Sequence, residues 1–451
     1  MIRDLAFELL KRVEAEDAYA NLLLPKLLER SGLDSRDSSF VQELAFGTIR
    51  NKLLYDRIIE LASGRKIPEI DPNALILLRI GAHQILQMRV PDHAAINETV
   101  NLAKKVAGSG AVGFVNAVLR KILRNDLEQW KAEVSAGERD DTSALGLIYS
   151  HPIWVVQALK AALASRGKEA ELQSLLEINN LPAKVSVCAL PGHFDPTNLQ
   201  SIGAERGPAS PIGGEIEGNP SAIAEIRQGI VRVQDQGSQL AALALTSAPI
   251  LCQESGWLDM CAGPGGKAAL LVALAKKLDV NVLCNEVLPK RAELVRRALE
   301  PLGTNFEITI MDGKNLPQLG KTFSRILIDA PCTGLGALRR RPEARYRKQP
   351  ADLADLTKLQ RDLITSGWEM LAPGGVLAYV TCSPHLSETT AQVAWAKAKF
   401  EGKAEILNAN SLLNSISPSL GLDESVKTAQ LWPHQHSTDA MFIALLRKSV
   451  G

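Results

Sequence analysis

Two cysteines and a glycine turn are the residues of this chain most able to do chemistry. Cys332 stands in Asp329-Ala-Pro-Cys-Thr-Gly and Cys382 in Tyr379-Val-Thr-Cys-Ser, each just past an apolar run. A thiolate so placed is a candidate nucleophile; a pair of buried structural thiols is the alternative. The turn lies in Asp259-Met-Cys-Ala-Gly-Pro-Gly-Gly-Lys, where Gly263, Gly265 and Gly266 let the backbone approach a ligand closely. It is not a phosphate loop of the Walker type. The residue five before Gly266 is Cys261, and Ala268 stands where a magnesium-binding Ser or Thr should follow Lys267. Nor does it fit Gly-x-Gly-x-x-Gly. Glu286 ends the next apolar run about 20 residues on, where doubly wound folds set a carboxylate on ribose hydroxyls.

These groups need a scaffold that brings them together. From Gln236 onward apolar runs alternate with helical stretches, which calls for a parallel sheet with helices on both faces. The predicted strands are residues 257–260, 280–285, 306–311, 325–328 and 376–381. Cys261, Glu286, Asp312, Asp329 and Cys382 fall at their carboxyl ends, the edge at which such sheets hold ligands.

Residues 1 to about 125 read as helices only. Leu5, Leu9, Leu10 and Val13 share one helical face; so do Val41, Leu44, Ala45 and Ile49, and then Leu54, Ile58 and Leu61. Turn signals at Ser31-Gly32, Ser63-Gly64, Pro91-Asp92 and residues 108–110 predict about five to seven helices. Arg79, Asn97 and Arg120 are expected to tie helices together, and His83 to be a core or capping histidine. A polar stretch at 135–142 reads as a linker. Short alternating runs at 183–188 and 229–233 bracket Gly- and Pro-rich loops, and His151 before Pro152 reads as a structural fixture. The expected class is thus α + α/β: an all-helical bundle over 1–130, a small mixed α/β module over 145–235, and a Rossmann-like sheet over 236–449.

Composition narrows the classes further. With 451 residues, 46% hydrophobic and 22% charged, the chain is long enough for two or three domains with their own cores. Its net charge of +1 means that any basic, nucleic-acid-binding surface must be local. The six cysteines include no Cys-x-x-Cys pair, which argues against zinc, so no metal is expected. No secretory leader is read at the start and no apolar run reaches spanning length, so a cytoplasmic chain without membrane contact is expected.

The stretches Leu78-Arg-Ile-Gly-Ala-His, Ala95-Ile-Asn-Glu-Thr-Val-Asn-Leu-Ala-Lys and Gly113-Phe-Val-Asn-Ala-Val-Leu-Arg resemble the helical NusB family of RNA-binding factors. The glycine turn, the Pro-Cys motif and the Thr-Cys motif together resemble RNA cytosine-5 methyltransferases, in particular the bacterial RsmB/Sun group with its NusB-like domain in front. The resemblance implies S-adenosyl-L-methionine as cofactor, held by Cys261, Ala262, Gly263, Pro264, Gly265, Gly266, Lys267, Glu286, Asp312 and Asp329. It implies a cytosine of small-subunit ribosomal RNA as substrate, Cys382 as nucleophile, Cys332 as the group assisting release, and Asp329 as a contact to the base. In DNA cytosine methyltransferases the Pro-Cys cysteine attacks instead, so the exchanged roles stay open. In the usual strand order of this fold the strand ending at Asp329 lies beside the one ending at Thr381. Adjacent strands are about 4.8 Å apart, so both thiols would face one extruded base. Two departures are visible: Asp439-Ala-Met-Phe where relatives often carry Asp-Gly-Phe-Phe, and Leu181-Pro182-Ala183 where a Pro-Pro pair is expected.

Arg339, Arg340, Arg341, Arg345, Arg347 and Lys348 place six cations within ten residues, opposed only by Glu343. Their closeness to the strand ends predicts a surface for RNA rather than a merely solvated loop. Transfer RNA as the substrate, a non-catalytic RNA-binding assembly factor, and a protein or small-molecule methyltransferase are the competing functions. The first differs only in substrate, the second would need the thiols or the turn to be lost, and the third leaves the two thiols unexplained.

Overall fold

The computed structural model describes residues 2–16, 18–303 and 305–450. The chain divides into two compact units. The first holds residues 1–182 and 338–348, the second residues 183–337 and 349–451.

The first unit is helical. Seven α-helices lie between Ile2 and Ile122 among the described residues, followed by Leu127–Ala136, Asp141–Ile148, Ile153–Ala164 and Leu172–Asn179. The turn signals act as expected. Gly32 and Gly64 end helices in the left-handed conformation, with φ of 66° and 72°. Asp34 and Asp71 accept hydrogen bonds from backbone amides in the first turns of the helices that follow them. The expected apolar faces form the core, with Leu9, Leu44, Leu54, Ile58 and Leu77 fully buried. Arg79 ties helices together through a two-pronged pairing with Asp56 and a bond to Glu14. Asn97 and Arg120 do not; both are exposed, and Arg120 bonds only Asn116 on its own helix. His83 is a core histidine, 2.8 Å from the Tyr55 hydroxyl. The expected linker at 135–142 is only the short turn between two helices.

In the second unit, β1 (Val185–Ala189), β2 (Glu205–Arg206), β3 (Gly213–Ile216) and β4 (Val231–Val233) form an antiparallel sheet in the order β2-β3-β1-β4. The module expected over 145–235 is therefore shared, with its longer helices in the first unit and its strands and the short helix Ala224–Arg227 in the second.

The larger sheet contains β5 (Trp257–Asp259), β6 (Val282–Asn285), β7 (Phe306–Thr309), β8 (Phe323–Asp329), β9 (Leu371–Thr381), β10 (Ala404–Leu407), β11 (Ala429–Gln430) and β12 (Phe442–Lys448). Its order is β10-β12-β9-β8-β5-β6-β7, with β11 beside β12. The strands from β9 to β7 are mutually parallel, and β12 joins β9 antiparallel. The five predicted runs are these parallel strands. β8 and β9 read as nearly continuous apolar runs because helices cover both faces.

The basic run departs from expectation. The chain leaves the second unit after Ala337, and residues 338–348 fold with the helices before it returns at Gln349. Arg345 is not available to RNA: it is fully buried and donates to the carbonyls of Ser150 and Asn179 and to Asn180 Oδ1. The Tyr346 hydroxyl bonds the Ser150 and Ile49 carbonyls. Arg347 donates to the Ala18 carbonyl and lies over the Tyr19 ring, 4.4 Å from its centroid. His151 belongs to the same buried knot, 3.5 Å from Arg345, and is structural as read. The physical reason is local: a guanidinium offers five donors, and helix ends and turns offer unpaired carbonyls. Of the six cations Arg341 is exposed, while Arg339, Arg340 and Lys348 are half-buried.

Candidate active site

The glycine turn begins where β5 stops and ends where the helix Gly266–Ala275 begins. Two of its glycines are required by the protein itself. A Cβ on Gly263 would lie 2.2 Å from Glu286 Oε2, and one on Gly265, at φ 108°, would lie 2.5 Å from the Ala298 Cβ. At Gly266 nothing comes nearer than 3.9 Å. The open backbone expected at three glycines is thus filled by protein at two of them. Glu286 is buried at the end of β6; its Oε1 accepts the Leu288 amide at 3.0 Å, and Arg291 Nε lies 3.5 Å from Oε2. Arg291 also donates to the Gly263 carbonyl and so joins turn and carboxylate. Asp312 follows β7, half-exposed, accepting from the Lys314 amide.

Lys267 is neither a solvent lysine nor an open arm. Its Nζ lies 2.8 Å from Asp329 Oδ2, and its side chain is 10% exposed. Burial favours the neutral amine, but the charge and hydrogen bond of Asp329 outweigh it and raise the pKa. Asp259, fully buried beside this pair, is pushed up to about 7, first by burial and then by the negative charge of Asp329. Its Oδ1 accepts the Cys261 amide at 3.3 Å, and its Oδ2 has no partner. Cys261 is an inert thiol, pushed up by burial and by Asp259, Asp329 and Glu286. Three carboxylates therefore surround the turn. Such a site offers carboxylate oxygens to hydroxyl and amino groups.

Asn285 was not singled out, yet it binds the strand ends to one another. Its Nδ2 donates to the Met260 and Met311 carbonyls and its Oδ1 accepts the Met311 amide, each at 3.1 Å. A buried polar residue closing an apolar run was the available signal. Asp259, closing β5, carried the same signal, whereas Arg291 carried none, because its importance comes from partners distant in sequence.

The two thiols meet as the strand order predicts. β8 and β9 pair in parallel with Asp329 opposite Val380, and Cys332 Sγ lies 3.5 Å from Cys382 Sγ. Both cysteines are free and partly exposed. The loops carrying them are joined by the Gly336 amide donating to the Cys382 carbonyl at 2.9 Å. A Cβ on Gly336 would lie 2.3 Å from the Ala440 oxygen. The departure at Asp439-Ala-Met-Phe therefore reaches the cysteine loops through its backbone. Cys332 is pushed well up, first by its hydrogen bond to Cys382 and then by burial. Lys267 is charge-coupled to Cys382. Cys332 thus holds its proton more tightly than a free thiol, while Cys382 lies within the field of the Lys267 cation.

Comparison with known proteins decides what this geometry belongs to. Residues 249–447 match the model of the 16S rRNA methyltransferase RsmB/F family, and residues 1–124 that of the NusB family. A putative methyltransferase of Mycobacterium tuberculosis is 43% identical over 449 residues, covering 99% of this chain and 96% of the relative. The chain belongs to the RsmB/F rRNA methyltransferase family, with an N-terminal NusB domain. The ribosomal RNA small subunit methyltransferase B of Pseudomonas syringae is 31% identical, covering 89% of this chain and 87% of the relative. The solved structure of PH0851 shares the fold across 99% of this chain and 98% of its own, with a TM-score of 0.77 at 19% identity. NSun6 from Pyrococcus horikoshii shares it over 65% of this chain and 98% of its own, with a TM-score of 0.52 at 19% identity. As an RsmB/F member the protein is an S-adenosylmethionine-dependent RNA (cytosine-5-)-methyltransferase. Among the described residues no helix is long and apolar enough to cross a membrane.

Proposed function

We propose that the enzyme methylates carbon 5 of a cytosine in 16S ribosomal RNA, with Cys382 as nucleophile. The observation that carries this reading is the contact of two thiols at 3.5 Å beside the Lys267–Asp329 pair. S-adenosylmethionine, when bound, supplies an electrophilic methyl group on a sulfonium. The residues present fit it: the turn from Cys261 to Lys267 offers backbone groups, Glu286 has lone pairs for ribose hydroxyls, and Asp312 for an adenine amino group.

Carbon 5 of cytosine is a poor nucleophile while the ring is aromatic. Addition of the Cys382 thiolate to carbon 6 makes carbon 5 enamine-like, and its electron pair can then take the methyl group. Lys267 favours that thiolate before addition. Asp329, held by Lys267, is placed to hydrogen-bond the base, which must leave its stack to reach the thiols. After transfer the carbon 5 proton leaves to a base and the carbon–sulfur electrons return to Cys382, restoring the ring; Cys332, beside the adduct, assists this release. The small-subunit RNA methyltransferase named above supports ribosomal RNA as the target. Arg339, Arg340, Arg341 and Lys348 remain candidates for phosphate contact. The test is incubation with methyl-labelled cofactor and, separately, 16S rRNA and transfer RNA, followed by digestion to nucleosides. Labelled 5-methylcytidine from 16S rRNA is expected. Label in transfer RNA alone would move the substrate, and label in another nucleoside would overturn the reading.

A further inference from the structure

A carboxylate that the reaction does not use lies buried behind the two thiols. Glu388 is fully buried six residues past Cys382. Its Oε1 accepts the Thr333 amide at 2.9 Å and Gln360 Nε2 at 3.2 Å, and its Oε2 accepts the Thr333 hydroxyl. An ionised carboxylate can only accept, so the Thr333 hydroxyl must donate to it. That leaves the Thr333 oxygen to accept from the Ser383 hydroxyl, 3.0 Å away. Gln360 also donates to the Pro331 carbonyl at 2.9 Å, and the Tyr379 hydroxyl to the Glu388 carbonyl at 2.7 Å. Pro331 and Thr333 flank Cys332, and Ser383 follows Cys382. Every bond in the set therefore ends on a neighbour of one of the two thiols or on Glu388 itself.

We propose that Glu388 is the positioning residue of the thiol pair, clamping the Cys332 loop to the Cys382 loop so that the sulfurs stay in contact. This rests on the function proposed above for its catalytic consequence, but not for its geometry. The charge environment agrees. After the hydrogen bond to Cys382, burial and the Cys382 charge, Glu388 is a further cause holding the Cys332 thiol up. The other titratable groups nearby are His385, lowered by burial against the charge of Glu388, Tyr379, well above its ordinary value through burial and then Cys332, and Lys267, in charge interaction with Cys382. Lys267 thus acts on one thiol and Glu388 on the other. Such asymmetry would keep one thiol a nucleophile and the other a proton carrier.

The test compares wild type, Glu388→Gln and Glu388→Ala in the full chain. Alkylation of each cysteine by iodoacetamide is followed by mass spectrometry from pH 7 to 10, without RNA or cofactor. Removing the charge should speed Cys332 alkylation roughly tenfold at pH 8 while leaving Cys188 and Cys284 unreactive. In turnover, Glu388→Gln should lower kcat by at least about tenfold, keep S-adenosylhomocysteine affinity, and accumulate covalent protein–RNA adduct. An unchanged Cys332 profile, or turnover within twofold of wild type, would overturn the proposal. Loss of S-adenosylhomocysteine binding with turnover would overturn it too, since Glu388 would then only support the fold. If wild type forms no 5-methylcytidine the functional reading fails, while the alkylation profile still decides the role of Glu388.

Discussion

The edge of the parallel sheet and the segment 338–348 each gather charged or reactive side chains, and they use them in opposite ways. At the sheet edge, Lys267, Asp329, Cys332 and Cys382 converge on one another from three different stretches of chain. In the segment, Arg345 and Arg347 are close together in sequence but bond mainly backbone carbonyls of the helical unit. Here the side chains that converge on one another include two thiols and make a reactive site, while those that converge on carbonyls make a fastening. Density of charge along the sequence does not distinguish them. The identity of the partner does.

Substitutions at the two regions should therefore differ in kind as well as in size. Cys382→Ala should lower methylation by at least about 10³-fold in a single-turnover assay, with thermal stability nearly unchanged. Lys267→Met should cost roughly 10²-fold in kcat/KM, because Asp329 loses its partner and Cys382 its neighbouring cation. In the segment the larger effect should be on stability. Arg345→Ala removes the buried guanidinium that bonds the Asn179 carbonyl and Asn180 Oδ1 and leaves a cavity in its place, and denaturant unfolding should show a loss of about 3 kcal/mol. Arg341→Ala should leave stability alone and flatten the salt dependence of RNA binding by about one unit of slope. If Arg345→Ala flattened that slope and left stability unchanged, the assignment of Arg345 as a fastening would fail.

The smallest effect is one of pH. Asp259 titrates near 7 in the folded protein and near 3.9 when unfolded. The folded state binds the proton more tightly, so the stability this group contributes is full below about pH 3.9 and is lost as pH rises through 7. Asp259→Asn cannot titrate, and its melting temperature should fall less than that of wild type between pH 5 and pH 8. Equal falls would show that Asp259 does not carry the dependence.

Much of this was legible in the sequence wherever short-range pattern decides. Apolar spacing located the helices of the first unit, and alternation of strand and helix located the five parallel strands. The strand order of such sheets then brought Cys332 to Cys382. What escaped depends on partners far away along the chain. The basic run at 339–348 reads as a surface for RNA because the carbonyl acceptors that bury part of it lie far away, near residues 18, 50, 150 and 180. Glu388 is not singled out by the sequence, because its acceptor role depends on Thr333 and Gln360. Lys267 pairs across 62 residues with Asp329. Local composition holds no trace of such pairings.

The central claim, that the touching thiols have different jobs, is tested most directly by the covalent adduct. Cys332→Ala and Cys382→Ala would each be incubated with 16S rRNA and S-adenosylmethionine and resolved by denaturing electrophoresis. The account predicts that Cys332→Ala accumulates a protein–RNA species that survives denaturation, while Cys382→Ala neither traps RNA nor methylates it. Accumulation of adduct by Cys382→Ala and none by Cys332→Ala would contradict the account and exchange the roles.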